Sequence, residues 1–182
     1  MRTIFLLVTL FLIVVPAVAQ RHIEFDGLNV QRTGRVPKPI LHLLHDELQR
    51  NTNLPLMCHV DASTDVSSWF STSRIDLGDR RRAYLVTPEK DCLDAVDHTR
   101  FWIARKTPHG YRLVLQAGAI VLDALKTRTH GLLDLETNAA TAAANYTNVY
   151  KFDGRDYKRS RCFQASPPSA KRKIVPCERN LQ

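Results

Sequence analysis

His42 and His45 lie three residues apart in a stretch with the apolar period of a helix, and Asp46 adjoins them. That spacing sets two imidazoles on one helix face. With a third nitrogen from His59, beside Cys58, they make a donor set of the kind a transition metal takes. The plainer arrangement is that Leu41, Leu44 and Leu48 form the buried stripe, the histidines border it and Asp46 faces water. The same three histidines with Asp76 are the residues from which an exported hydrolase could draw its acid and base.

Two carboxylate patterns offer other chemistry. Ile75-Asp76-Leu77-Gly78-Asp79 resembles the start of a calcium loop, which needs oxygen ligands at alternate positions. Gly78 supplies no side-chain oxygen at one of them, and the cations Arg80, Arg81 and Arg82 follow at once and repel an ion. Asp134 and Glu136 alternate on one predicted strand, either as a catalytic pair or as polar groups on a wet face, which is the simpler reading. The chain holds no Gly-x-Ser-x-Gly, no His-Glu-x-x-His and no glycine-rich phosphate loop. No cofactor is implied, and no catalytic set is assembled.

Cations are the remaining chemistry. Arg80–Arg82 form one cluster, Lys158, Arg159 and Arg161 a second, and Lys171, Arg172 and Lys173 a third. On an unbroken strand Lys158 and Ser160 share one face while Arg159 and Arg161 share the other, so the second cluster points two ways. Lysine and arginine on an edge strand also discourage edge-to-edge pairing. The formal charge of the whole chain is +8. That balance favours an anionic partner, an envelope component or an acidic protein, over a cationic one.

The elements that must position these groups follow from spacing. Residues 1–19 read as a secretory signal: Arg2, an apolar run from Ile4 to Val15, then Ala17-Val18-Ala19. The run is too short for a stable membrane span, which takes about 20 residues. Removing it takes away one charge, Arg2, and leaves +7. Residues 20–37 form an arm, residues 38–165 a single α+β domain, and residues 166–182 a Pro/Lys-rich tail tied by a disulfide. The expected compartment is the periplasm or the medium. Four cysteines in an exported chain read as two disulfides, and of the three possible pairings the expected one is Cys58–Cys92 with Cys162–Cys177, because each pair is near in sequence. No Cys-x2-Cys occurs, so the cysteines do not read as a zinc site.

A helix is predicted over 39–51, with Ile40, Leu41, Leu44 and Leu48 as its stripe and Pro39 in its first turn. Strands are predicted at 84–86, 101–105, 111–115, 120–125, 132–136, 149–152 and 157–163. Thr107–Gly110 and Asp153–Asp156 are the clearest hairpin turns, and Thr127–Gly131 makes another turn. Turns every ten residues or so predict an antiparallel β-meander in one sheet, with the N-terminal amphipathic helix packed on one face.

Phe101-Trp102-Ile103, Gly110-Tyr111-Arg112-Leu113-Val114-Leu115, Thr127 to Gly131 with Asp134-Leu135, and Tyr150-Lys151-Phe152-Asp153-Gly154 with Tyr157 and Cys162 occur in that order. As an ordered set they resemble a group of small exported bacterial proteins without an established activity. The resemblance spans about residues 74–163 and implies a fold and a compartment, but no reaction. In that group an Asp-Leu-Asn-Gly-Asp-Gly type of loop often precedes the Trp strand, and Asp76-Leu77-Gly78-Asp79-Arg80 departs from it. The expected function is therefore a non-enzymatic exported binding domain. The alternatives are the envelope hydrolase, an inhibitor of an exported enzyme, or an accessory domain with a lipid-facing basic patch. Nucleic acid is not the expected partner of an exported chain.

Overall fold

A computed structural model of the chain describes residues 24–26, 31–51, 58–93, 99–166 and 171–177. The signal segment lies outside the described residues. Helix α1 spans Lys38–Arg50, as its apolar stripe predicts: Ile40, Leu44 and Leu48 are buried, and Leu41 borders them. Pro37 caps it with φ −57° and ψ 135°, and Pro39 occupies the first turn, where a missing N–H costs nothing. Asn51 ends it by turning extended.

Among the described residues eleven strands follow or flank it: β1 Glu24–Asp26, β2 Gln31–Gly34, β3 Phe70–Ile75, β4 Ala83–Pro88, β5 Thr99–Thr107, β6 Gly110–Ala119, β7 Val121–Thr129, β8 Leu132–Ala140, β9 Asn145–Phe152, β10 Tyr157–Ala165 and β11 Lys173–Val175. The fold is α+β and antiparallel, but the meander is divided into two sheets rather than one. The first has the order β2-β3-β4-β5-β6 and the second β1-β7-β8-β9-β10-β11. The break comes after the small residues Ala117, Gly118 and Ala119, where exposed Ile120 makes a corner and donates its N–H to the Asn138 carbonyl. A single sheet of nine- and ten-residue strands coils strongly, and splitting lets its two halves face each other.

Two apolar layers result. Between the sheets lie Leu77, Leu85, Phe101, Ile103, Val114, Leu115, Leu122, Leu135, Tyr150 and Phe152 among others. On the far side of the first sheet, Phe70, Val86, Trp102 and Ala104 pack beneath α1. Strand β5 is covered on both faces, which is why Phe101-Trp102-Ile103-Ala104 reads as a continuous apolar run rather than an alternation. In β6 the register with β5 slips at Val114, so that the neighbours Val114 and Leu115 both reach the layer between the sheets.

Both predicted disulfides form, Cys58–Cys92 at a Cα separation of 5.9 Å and Cys162–Cys177 at 5.3 Å. The second holds the tail as a strand: Lys173–Val175 pairs with Gln164–Cys162, so part of the Pro/Lys-rich tail is β11. The arm likewise supplies β1, parallel to β7, and β2, antiparallel to β3. The predicted Thr127–Gly131 turn is shorter than expected, since β7 runs to Thr129 and only His130 and Gly131 turn.

Gly78 and Gly131 both have left-handed backbones, φ +86° and +82°. A Cβ at Gly78 would also sit 2.1 Å from the Arg128 guanidinium, whereas at Gly131 it would meet nothing within 4 Å. Gly131→Ala should therefore cost about 1–2 kcal/mol in urea unfolding, the backbone term alone. Gly78→Ala should cost about 0.5–1 kcal/mol more, because it also displaces the exposed Arg128 from its hydrogen bond to the Gly78 carbonyl. Equal losses would show that Arg128 is not held at that carbonyl.

Candidate binding surface

The histidines do not assemble. His45 Nε2 lies 2.9 Å from the Asp61 carbonyl, and its Nδ1 lies 3.8 Å from Asp46. His42 and His45 line a shallow cavity of about 320 Å³ with Lys38, Thr64, Asp65 and Ser67, and His59 is not among its walls. Among the described residues no three His, Cys, Asp or Glu side chains gather as metal ligands. Asp76 belongs to a different loop, where its carboxylate accepts the Gly78 N–H at 2.7 Å.

The two carboxylates of β8 also part. Asp134 is not on a wet face: it is 1 % exposed and accepts a hydrogen bond from Thr127 Oγ1 at 2.8 Å. A wide bulge explains this, since Leu125, Lys126 and Thr127 stand opposite Asp134 alone, between the Ala124–Leu135 and Arg128–Leu133 pairs. Glu136 is half-buried and engaged at 3.5 Å by both Asn138 Nδ2 and Arg172.

The cations behave differently. The 76–82 loop between β3 and β4, the β5–β6 turn, the β7–β8 turn and the β9–β10 turn all lie at one end of the sandwich, as the strand registers require. Four links close that end. The Leu133 N–H donates to the Leu77 carbonyl at 2.8 Å, and Arg128 Nη1 donates to the Gly78 carbonyl at 2.6 Å. Arg105 pairs with Asp79, and Arg112 grips Asp156 with Nε at 3.0 Å and Nη2 at 3.3 Å. The loop that resembles the start of a calcium loop is thus held by arginines, Arg105 of β5 and Arg128 of β7.

Exposed around these links are Arg80, Arg81, Arg82, Lys106, Arg155 and Lys158. The first basic cluster and part of the second therefore share one end. The third does not: Lys173 pairs with Gln164, near the opposite, Ala140–Asn145 end of the second sheet.

Within the second cluster the expected faces are wrong for one residue. A bulge at Ser160 puts Arg159 opposite Tyr150 and Arg161 opposite Val149, so these two arginines point to opposite faces. Arg161 joins Lys158 on the outer face, and Lys158 stands directly across from Lys151. No sequence signal marks such a bulge; Ser160 Oγ, which bonds the Val149 carbonyl at 3.2 Å, is its one trace.

Asp153 is tied into the same end. Its carboxylate accepts the N–H groups of Asp156 and Arg155, which hold its pKa below the ordinary aspartate value. Beneath the surface, Tyr157 donates to the Leu133 carbonyl at 2.8 Å, and burial pushes its phenol well up. Comparison of the chain with protein-family models, with curated proteins and with solved structures finds no match.

The Tyr157 shift has a definite sign. Its folded pKa lies above the unfolded value of about 10, so the folded state keeps the proton longer. That stability is complete below pH 10 and is lost as pH rises beyond it. Urea midpoints should fall from pH 9 to pH 11. Tyr157→Phe should flatten that fall while costing about 1 kcal/mol at pH 7 for the lost hydrogen bond. An alkaline fall that is unchanged in Tyr157→Phe would remove Tyr157 as its source.

Proposed function

We propose that this is an exported, non-enzymatic binding domain that engages an anionic partner through the cationic end of its sandwich. The observation that carries the reading is the convergence of Arg80–Arg82 with Arg155 and Lys158, from different sheets, on one surface. Two aspartates at that end, Asp79 and Asp156, are turned to Arg105 and chiefly to Arg112. Positive charge is moreover placed where it opposes folding: Lys158 faces Lys151 directly on the neighbouring strand. Like charges opposite one another on neighbouring strands are destabilising, so their presence favours a role outside stability.

Export is part of this proposal. It is supported by the leader-like first nineteen residues and by two disulfides, which persist in oxidising compartments. Among the described residues no helix is long and apolar enough to cross a membrane. The likeness of residues 74–163 to small exported bacterial proteins points the same way.

The test is binding of the oxidised chain, residues 20–182, to immobilised poly-L-glutamate and to phosphatidylglycerol vesicles at ~0.05 and ~0.5 M salt, a range over which surface charges are increasingly screened. Replacing Arg80, Arg81 and Arg82 together by Glu should weaken retention at low salt about tenfold, at about 0.5 kcal/mol for each exposed charge contact. The three side chains are exposed, so thermal unfolding should barely change. Equal retention of the triple variant, or no retention of the natural chain by either probe, would sink the proposal.

A further inference from the structure

The two disulfides sit in different surroundings. Cys58 is completely buried in the layer beneath α1, and Cys92 packs against that layer half-buried. Cys162 is buried too, but it belongs to neither apolar layer, and its partner Cys177 is exposed. A thiol arriving from solvent can therefore approach the second bridge from the Cys177 side. To reach the first it must wait for the helix layer to loosen. Disulfides open to solvent are the labile and regulatory ones.

What the second bridge holds is weakly anchored otherwise. Strand β11 has three residues, of which Lys173 and Ile174 are exposed and Val175 is half-buried. Ile174 is 76 % exposed, and no β11 residue enters either apolar layer. The register with β10 covers Gln164–Cys162 alone. Arg172, which is 53 % exposed, reaches Glu136 at 3.5 Å, and ion pairs this open to water contribute little. The two cysteines are 15 apart in sequence. Closing a loop of that length favours the docked tail by about a hundredfold in the chain-entropy model. An element held mainly by loop closure, outside the core, opens on its own while the rest stays folded.

We propose that Cys162–Cys177 is a redox latch: a dithiol opens it at Cys177, β11 leaves β10, and the sandwich with its Cys58–Cys92 bridge stays folded. One thiolate of the dithiol attacks Cys177 Sγ, the bond to Cys162 breaks, and Cys162 departs as a thiolate and takes up a proton. The second thiolate of the reductant then attacks the reductant's own sulfur in the mixed disulfide, and Cys177 leaves in the same way. Two electrons pass to the protein, and the dithiol becomes a disulfide. Opening separates Arg172 from Glu136 and carries the basic run Lys171–Lys173 away from the second sheet. The latch thus decides whether the third basic cluster belongs to the sandwich or to an undocked tail. It does not depend on the anionic-partner reading.

The test treats the oxidised chain with a dithiothreitol series, traps thiols with iodoacetamide for mass spectrometry, and follows amide hydrogen exchange. Cys162 and Cys177 should alkylate at a reductant concentration about tenfold or more below that needed for Cys58 and Cys92. In that half-reduced protein, exchange of the Lys173–Val175 amides should quicken by about tenfold or more, while Phe101–Ile103 of β5 stays protected. The double variant Cys162→Ser with Cys177→Ser should keep native circular dichroism and show the same fast exchange without reductant. Opening of both bridges at one concentration would overturn the proposal. So would unchanged Lys173–Val175 exchange once Cys162 and Cys177 are reduced, or loss of Phe101–Ile103 protection at that point. A double variant that does not fold would make the bridge a staple of the whole domain and overturn the latch as well.

Discussion

Two arginines stand side by side on neighbouring strands, and the way their charges are met organises the end of the molecule where everything else happens. Arg105 and Arg112 are register partners in β5 and β6. A guanidinium cannot shed its proton in a protein, and Arg105 is largely withdrawn from water, so each needs an anion. They receive theirs from different places: Asp79 comes from the loop of the same sheet, and Asp156 from a turn of the opposite sheet. Bringing Asp79 to Arg105 folds the 76–82 loop over the end of the core, buries Leu77 completely and presents the Gly78 carbonyl to Arg128. One electrostatic requirement thus joins the two sheets and fixes the loop that carries Arg80–Arg82.

These pairs are weak evidence of net stability. Withdrawing two charges from water costs about as much as their attraction returns, and apolar replacements often do as well. What they supply is arrangement. Removing either aspartate alone would strand a cation in a half-dry place, which is the costly event. Because Asp79 and Asp156 turn inward to Arg105 and Arg112, the cations that follow them in sequence face outward, with the exposed Asp76 and Asp153 at the same end. The positive surface is a consequence of how the interior was satisfied, and a fold that uses its local anions this way is biased toward binding anions supplied from outside.

Much of this was legible in the chain. The helix could be read from Ile40, Leu44 and Leu48, the hairpins from Thr107–Gly110 and Asp153–Asp156, and the disulfides from sequence proximity; local signals encode all three. What could not be read is non-local or irregular. Phe70–Ile75 is rich in hydroxyls and lacks apolar alternation, so only its pairing with β2 and β4 makes it a strand. The division into two sheets depends on the corner at Ile120, where small residues permit a turn but do not announce one. The bulges at Val114 and Ser160 shift the faces of Leu113–Leu115 and Arg159–Arg161 without any local marker. Asp134 looked like a surface carboxylate because strand alternation has no means of showing that Thr127 lies over it.

The same corner explains why the first sheet ends on a long strand. A chain that continued its meander past Ala119 would have paired β6 with β7 and left no edge there. By turning at Ile120 it carries β7 into the second sheet, so β6 runs from the Asp156 turn at its start to the Asn138 carbonyl of β8 at its end, across the inner face of that sheet. Its unpaired side then necessarily faces the inner surface of β9 and β10, where Tyr150 and Arg159 emerge. An open backbone edge is thus a topological product of splitting one sheet in two. A second covering strand would remove the edge, and a third basic cluster placed there would change nothing about it.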